Sequence, residues 1–218
     1  MLSFNYHFPA SIFGANLLAA WLGFSAARQD AFRRFCRQTA LSLNTMDRSN
    51  NWGNWNLVLV LACARYLGDG ELPNRGEQRW KELLDRQVDD RGHLHHEVRR
   101  GGGRRSIWYS HFSIFPQKIA AEILRRAGLD LYDWQSPDGH ALRRAFEPLA
   151  GRTRDPASFP YQDGNPGQLT GVTYFSYFEI LNERWPNEDA AVLLRQSRPM
   201  TARHSAPVLT LTHGAAAP

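Results

Sequence analysis

The run Leu57-Val58-Leu59-Val60-Leu61-Ala62, continued by Cys63 and Ala64, lies inside a stretch from Trp52 to Leu67 that Gly68-Asp69-Gly70 brings to an end. The pattern predicts a helix over Trp52–Leu67 that is apolar on almost every side. Such a helix is stable in water only when other elements bury it on most sides. This one segment therefore asks for a core built around it rather than beside it.

The rest of the chain supplies the partners. Ser11–Ala27 reads as a helix that is apolar nearly all round. It is expected to be a buried first helix rather than a signal peptide or membrane span. No Lys or Arg precedes it, and Asn16 and Ser25 interrupt the apolar run. Leu2 to Phe8 reads as the continuation of a fold rather than as a leader. Asp30 is placed to cap Ala31–Leu43, where Phe32, Phe35, Cys36 and Thr39 share a face. Glu77–Val88 is amphipathic through Trp80, Leu83, Leu84 and Val88. His111–Ala127 follows, with Pro116 tolerated near its start, a basic end at Arg125 and Arg126, and a stop at Gly128. Gly139–Leu149, Thr173–Arg184 and Glu188–Arg195 complete the set. Only Pro207–Thr212 reads as extended. The expected fold class is all-α, as a bundle or a toroid of helical hairpins. A single domain would span 1–200, with an extended tail over 201–218.

The 218 residues carry a net charge of +5. That favours an anionic partner without choosing between nucleic acid, a membrane surface and an acidic polysaccharide. Cys36 and Cys63 both fall in helical patterns and read as buried free thiols. Neither a CxxC pair nor a Cys/His metal spacing occurs, and a Walker loop, an HExxH helix, a dinucleotide fingerprint and a Gly-x-Ser-x-Gly elbow are absent as well. Neither a cofactor nor a metal is expected.

The entrance to the central helix is unusual. Ser49-Asn50-Asn51-Trp52-Gly53-Asn54-Trp55-Asn56 crowds amides and two indoles into one segment. One capping side chain suffices for a helix start. Amides that donate and accept, beside flat aromatic faces, suit a sugar-binding cleft. A capped helix with both Trp in the core would explain one Asn and both indoles.

Two stretches are too polar to be plain connectors, 89–110 and 150–171. The first holds His93, His95, His96, Glu97, Arg99, Arg100, Arg104 and Arg105, then Trp108, Tyr109 and His111. Arginine forks match planar carboxylates two bonds at a time. Cations leading into an aromatic platform fit an acidic sugar polymer or a single-stranded nucleic acid. On an extended segment Tyr109 and His111 would face the same side. The second stretch offers Arg152, Arg154, Tyr161, Gln162, Asp163 and Asn165. Glu97 with Asp89 and Asp90 suggests a glycosidase pair, but the surrounding arginines argue that these acids are salt-bridged.

Asn50-Asn51-Trp52-x-x-Trp55, with the helix running to Leu67-Gly68-Asp69, resembles the alginate lyase family of polysaccharide lyases. So does Gly92-His93-Leu94-x-x-Glu97-x-x-Arg100-Gly101, followed by Arg104-Arg105, Tyr109-Ser110-His111-Phe112 and Ala121-Glu122. Gly128-Leu129-Asp130-Leu131-Tyr132 is a weaker match. The resemblance covers roughly residues 45–135, and Tyr174–Trp185 fits the family's closing region. It implies an α/α toroid, complete or incomplete, since members are usually longer and this chain is similar to their C-terminal part. It also implies β-elimination on a uronic acid polymer, and a periplasmic or secreted setting.

By resemblance Asn51 and Arg100 would bind the substrate carboxylate and Tyr109 would act as base, acid or both, with His111 as the histidine of the site. Asn50, Trp52, Trp55, His95, His96, Arg104 and Arg105 would line the sugar. Two departures stand out. Many alginate lyases carry His where this chain has Trp52, which leaves that role vacant or moves it to His95, His96 or His111. The segment from Arg100 to Tyr109 is longer than usual, with Gly102 and Gly103 as the insertion, so Arg104 or Arg105 becomes an alternative to Arg100. A non-catalytic acidic-glycan binder is the second reading. Nucleic acid is the third and is not expected, because Lys81 and Lys118 are the chain's only lysines and nucleic acid does not require the amide-rich segment.

Overall fold

A computed structural model describes residues 2–42, 47–103, 105–161 and 174–200. Among these residues the chain is all-helical, with a single isolated bridge between Val88 and Leu94 outside the helices. The helices are α1 (Leu2–Leu17), α2 (Ala26–Phe35, prolonged by a π-turn over Cys36–Ala40), α3 (Asn51–Leu67), α4 (Leu72–Gln87), α5 (Ser106–Arg125), α6 (Leu142–Arg154), α7 (Phe178–Arg184) and α8 (Glu188–Ser197), with a 3-10 turn at Pro156–Ser158. The extended tail and the candidate strand Pro207–Thr212 lie outside the described residues.

α3 is the axis of the molecule. Every residue from Gly53 to Ala64 is buried, as the uninterrupted apolar run demands. α1, α4 and α5 pack around it, α6 packs on α5, and α8 packs on α6 and α7. The backbone at the entrance is closed by Asn50, whose side-chain oxygen accepts from the Trp52 N–H at 3.1 Å. The exit is closed by Gly68 in the left-handed conformation.

The remaining amides of that entrance are structural ties between helices. Asn54 is wholly buried; its Nδ2 donates to Gln87 Oε1 at 2.8 Å and to Ser113 at 2.8–2.9 Å, and its Oδ1 accepts from Gln87 and Gln117 at 2.8 and 2.9 Å. This knot joins α3, α4 and α5. Asn5 donates to Asn56 and joins α1 to α3. Polar groups this deep are tolerable only when so satisfied.

Several boundaries move from the sequence reading. The first helix runs over Leu2–Leu17 rather than Ser11–Ala27 and is not buried throughout. The chain turns after it, leaving Leu17, Leu18, Trp21 and Leu22 exposed, Leu22 by 97%. α2 starts at Ala26 after Ser25, so Asp30 lies inside the helix, 3.5 Å from Arg33, instead of capping it. α4 begins five residues earlier than the periodicity indicated, because Pro73 sits in its first turn, where the missing N–H costs nothing. α6 continues through Pro148 to Arg154. α7 is described from Phe178, and the expected start at Thr173 lies outside the described residues. Cys36 and Cys63 are buried free thiols, as expected, and hydrogen-bond each other between the π-turn and α3.

Candidate active site

The segment between α4 and α5 is a series of tight turns. Asp89 Oδ1 accepts from the Arg91 and His93 N–H groups at 2.9 and 2.8 Å, and the His95 N–H returns to the Gln87 carbonyl at 3.0 Å. Gly92 has φ +78°, and a Cβ there would lie 2.1 Å from the Arg144 carbonyl oxygen, so only glycine lets the turn dock against α6. Glu97 and Arg100 then follow on successive turns, with the Arg100 N–H bonded to the Glu97 carbonyl at 3.0 Å.

Gly101, Gly102 and Gly103 are all left-handed, with φ of 60°, 67° and 93°. They curl the chain so that the Gly103 and Arg105 N–H groups both donate to the Arg100 carbonyl, at 3.2 and 3.3 Å. The triplet is therefore a formed turn rather than a loose hinge. It absorbs the extra length between Arg100 and Tyr109, and Arg100 still reaches the start of α5.

There the side chains form a continuous line. Asn51, wholly buried at the first turn of α3, donates through Nδ2 to Glu97 Oε1 at 2.7 Å, and its backbone N–H reaches the same oxygen at 3.2 Å. Glu97 is 1% exposed; its other oxygen stands 3.5 Å from Arg100 Nε, an ion-pair rather than a hydrogen-bond contact. The Arg100 guanidinium lies over the Tyr109 ring, 4.5 Å from its centroid. Arg100 is 40% exposed and Tyr109 half-buried, so the outer two members of the line face solvent while Asn51 and Glu97 lie beneath. Asn51 Oδ1 is buried with no hydrogen-bond partner among the described residues. Beside this line Trp52 is 37% exposed, with the Arg48 guanidinium 6.0 Å from its ring centroid.

Three of the four residues proposed for catalysis are thus neighbours, and the fourth is not. Tyr109 and His111 are both on α5, so two residues of separation turn them about 200° apart around the helix. The same-side placement holds only for an extended segment. His111 is fully buried, 2.8 Å from both Tyr177 Oη and Thr153 Oγ1. Thr153 spends its only proton on the Leu149 carbonyl at 2.6 Å, so it accepts from His111 Nε2–H, and His111 Nδ1 accepts from Tyr177 O–H. Burial pulls the His111 pKa down to about 3. The ring is a neutral tie in the core.

Among the proposed sugar-lining residues, Trp55 is likewise a core side chain, packed edge-on against Tyr6 and Phe115 and tilted against Phe112. Asn50 is spent on its cap. His95 and His96 are exposed with rings 4.0 Å apart, and His96 is held below the ordinary imidazole range by partial burial and by its neighbour. Arg105 is exposed, and Arg104 lies outside the described residues, as do Gln162, Asp163 and Asn165. The residue undervalued in the sequence is Glu97. Its place three residues before Arg100 was the available signal, since that spacing brings the two together on one turn. Among the described residues no group of three or more His, Cys, Asp and Glu side chains is arranged to hold a metal ion.

Comparison with known proteins gives this geometry a setting. The model of the alginate lyase family matches residues 8–159. A polysaccharide lyase of Stenotrophomonas maltophilia strain K279a is 30% identical over 135 residues, which is 61% of this chain and 39% of that protein. An alginate lyase from Bacteroides ovatus superposes with TM-score 0.76 at 20% identity, covering 91% of this chain and 54% of that one. Alginate lyase A1-III, as a histidine-to-alanine variant in its apo form, superposes with TM-score 0.80 at 18% identity, covering 97% and 61%. The same variant has been solved complexed with a tetrasaccharide. The helices described above thus follow the α/α toroid of A1-III over about 60% of its length. The chain spans less than two thirds of each of these proteins. A family match across residues 8–159, carried on this helical frame, establishes that the chain belongs to the alginate lyase family.

Proposed function

We propose that the protein cleaves a uronic acid polymer by β-elimination. The observation that supports this best is the unbroken line Asn51–Glu97–Arg100–Tyr109, which sets a guanidinium directly against a tyrosine at the protein surface. The substrate carboxylate pairs with Arg100, whose fixed charge stabilises the negative charge that spreads from C5 into the carboxylate as the proton leaves. Tyr109 takes the C5 proton. The C5–H electron pair becomes the C4–C5 double bond, the C4–O bond breaks, and the leaving oxygen collects a proton, which Tyr109 is placed to return. The guanidinium packed over the Tyr109 ring sets the carboxylate's partner and the proton-transferring residue side by side, and that is the physical role of the Arg100–Tyr109 contact. Trp52 offers a flat face for a sugar ring beside the reacting residue.

The test is formation of the unsaturated uronate, followed by its ultraviolet absorbance, on alginate, glucuronan and related polymers. Tyr109→Phe is expected to abolish turnover and leave binding largely intact. No product from any polyuronate with folded protein removes the reading, and a fully active Tyr109→Phe removes Tyr109 from the mechanism.

A second reading is a non-catalytic binder of acidic glycans. Trp52 favours it, standing where many alginate lyases carry histidine, as does His111, which is locked in the core as a neutral ring. Saturable binding without product selects it. DNA binding as strong as polyuronate binding, and steeply weakened by salt, would instead restore the nucleic-acid reading.

A further inference from the structure

The carboxylate of Glu97 is the most constrained charged group near the site, and the elimination scheme leaves it without a task. It is 1% exposed. Both of its oxygens are directed at members of the proposed site. Oε1 receives two N–H groups of Asn51, at 2.7 and 3.2 Å, and Oε2 stands 3.5 Å from Arg100 Nε. An amide side chain can turn end for end at little cost. A carboxylate on one side of Asn51 removes that freedom, because only the Nδ2 end can face it. The same bond fixes where the other end goes: Asn51 Oδ1 is left buried and without a partner among the described residues.

We infer that Glu97 is a positioning residue: it fixes the Asn51 amide with one oxygen and the Arg100 guanidinium with the other, and so holds Arg100 over Tyr109. It acts through the two side chains it holds. The left-handed glycine turn sets the backbone of Arg100 near α5, but a long side chain on a turn still samples many rotamers. The Glu97 carboxylate selects the one in which the guanidinium covers the tyrosine ring at 4.5 Å. Small errors in such an arrangement have large kinetic consequences.

This inference rests on the lyase reading and has its own test. Glu97→Gln keeps the shape and an oxygen for Asn51, but turns an N–H group toward Arg100. Glu97→Ala releases both partners. With the full chain and a polyuronate that the wild type cleaves, Glu97→Ala is expected to lower kcat about 100-fold and Glu97→Gln about tenfold, with KM within about threefold of wild type. Glu97→Gln is expected to melt within a few degrees of wild type, which separates positioning from folding. Wild-type kcat in Glu97→Gln overturns the inference. So does a lowered KM at unchanged kcat, which would make Glu97 a competitor for the substrate carboxylate's seat. If the wild type forms no product, the lyase reading falls by itself. The positioning role is then read from a crystal structure of Glu97→Ala, in which Arg100 is expected to leave the Tyr109 ring; an Arg100 that stays over the ring overturns it.

Discussion

At the scale of single residues, burial decides which titratable groups are chemistry and which are architecture. Lowering the His111 pKa to about 3 means that the unfolded chain, with imidazoles near 6.5, binds more protons than the folded one between those values. The His111 contribution is therefore complete above about pH 6.5 and is lost as pH falls toward 3. The melting temperature is expected to drop through that window. His111→Gln, which cannot be protonated there, should flatten the drop while lowering stability at neutral pH. Lys118 on α5 follows the same rule at higher pH. It is 2% exposed, and burial outweighs the pull of Glu122 and brings its pKa to about 7. Because the unfolded lysine holds its proton to about 10.4, stability rises from pH 7 toward that value. Lys118→Met is expected to raise the melting temperature at pH 7 and to remove this slope, as thermal denaturation across pH would record.

Elements are held together here by amides as much as by apolar faces. The Asn54 side chain meets α4 and α5 at once, so Asn54→Ala strands Gln87, Gln117 and Ser113 in the core. A loss of about 3–5 kcal/mol in chemical denaturation is expected, since each orphaned buried group costs about 1–3 kcal/mol. The glycine turn offers a subtler case. A Cβ at Gly102 meets nothing within 4 Å, but φ is +67°. Gly102→Ala should cost only about 1–2 kcal/mol of stability through backbone strain. It should nevertheless lower turnover on a polyuronate by displacing Arg100, so activity would fall much further than melting temperature.

For the whole molecule, the central helix was legible in the sequence because a long apolar run has one stable environment. Its boundaries matched to within one residue. The first helix was misread for the complementary reason. An apolar stretch shows that burial is favourable but not what provides it, and Leu17, Leu18, Trp21 and Leu22 meet no covering element among the described residues. Exposed apolar side chains of that kind offer a surface for hydrophobic dyes. Replacing Trp21 and Leu22 together by Ser is expected to cut dye fluorescence while leaving the melting temperature nearly unchanged. The candidate site was legible in part: Asn51, Arg100 and Tyr109 were named from motif order, and the structure links them through Glu97. His111 was misplaced because a helical start at Ser106 overrode the extended geometry assumed for it. The amide excess looked like sugar chemistry, whereas Asn50, Asn54 and Asn56 serve the helix start and its neighbours.

The hydrogen-bond chain through His111 has a practical consequence. An imidazole N–H that is buried, held at 2.8 Å by a threonine oxygen and fixed in one tautomer exchanges with water slowly. Its proton resonance falls far downfield of the crowded amide region. It sits where α5, α6 and the entrance to α7 meet, so its presence or loss in a one-dimensional spectrum reports whether that seam is closed. Any variant of the surface site can be checked for an intact interior by that one signal, before a single turnover is measured.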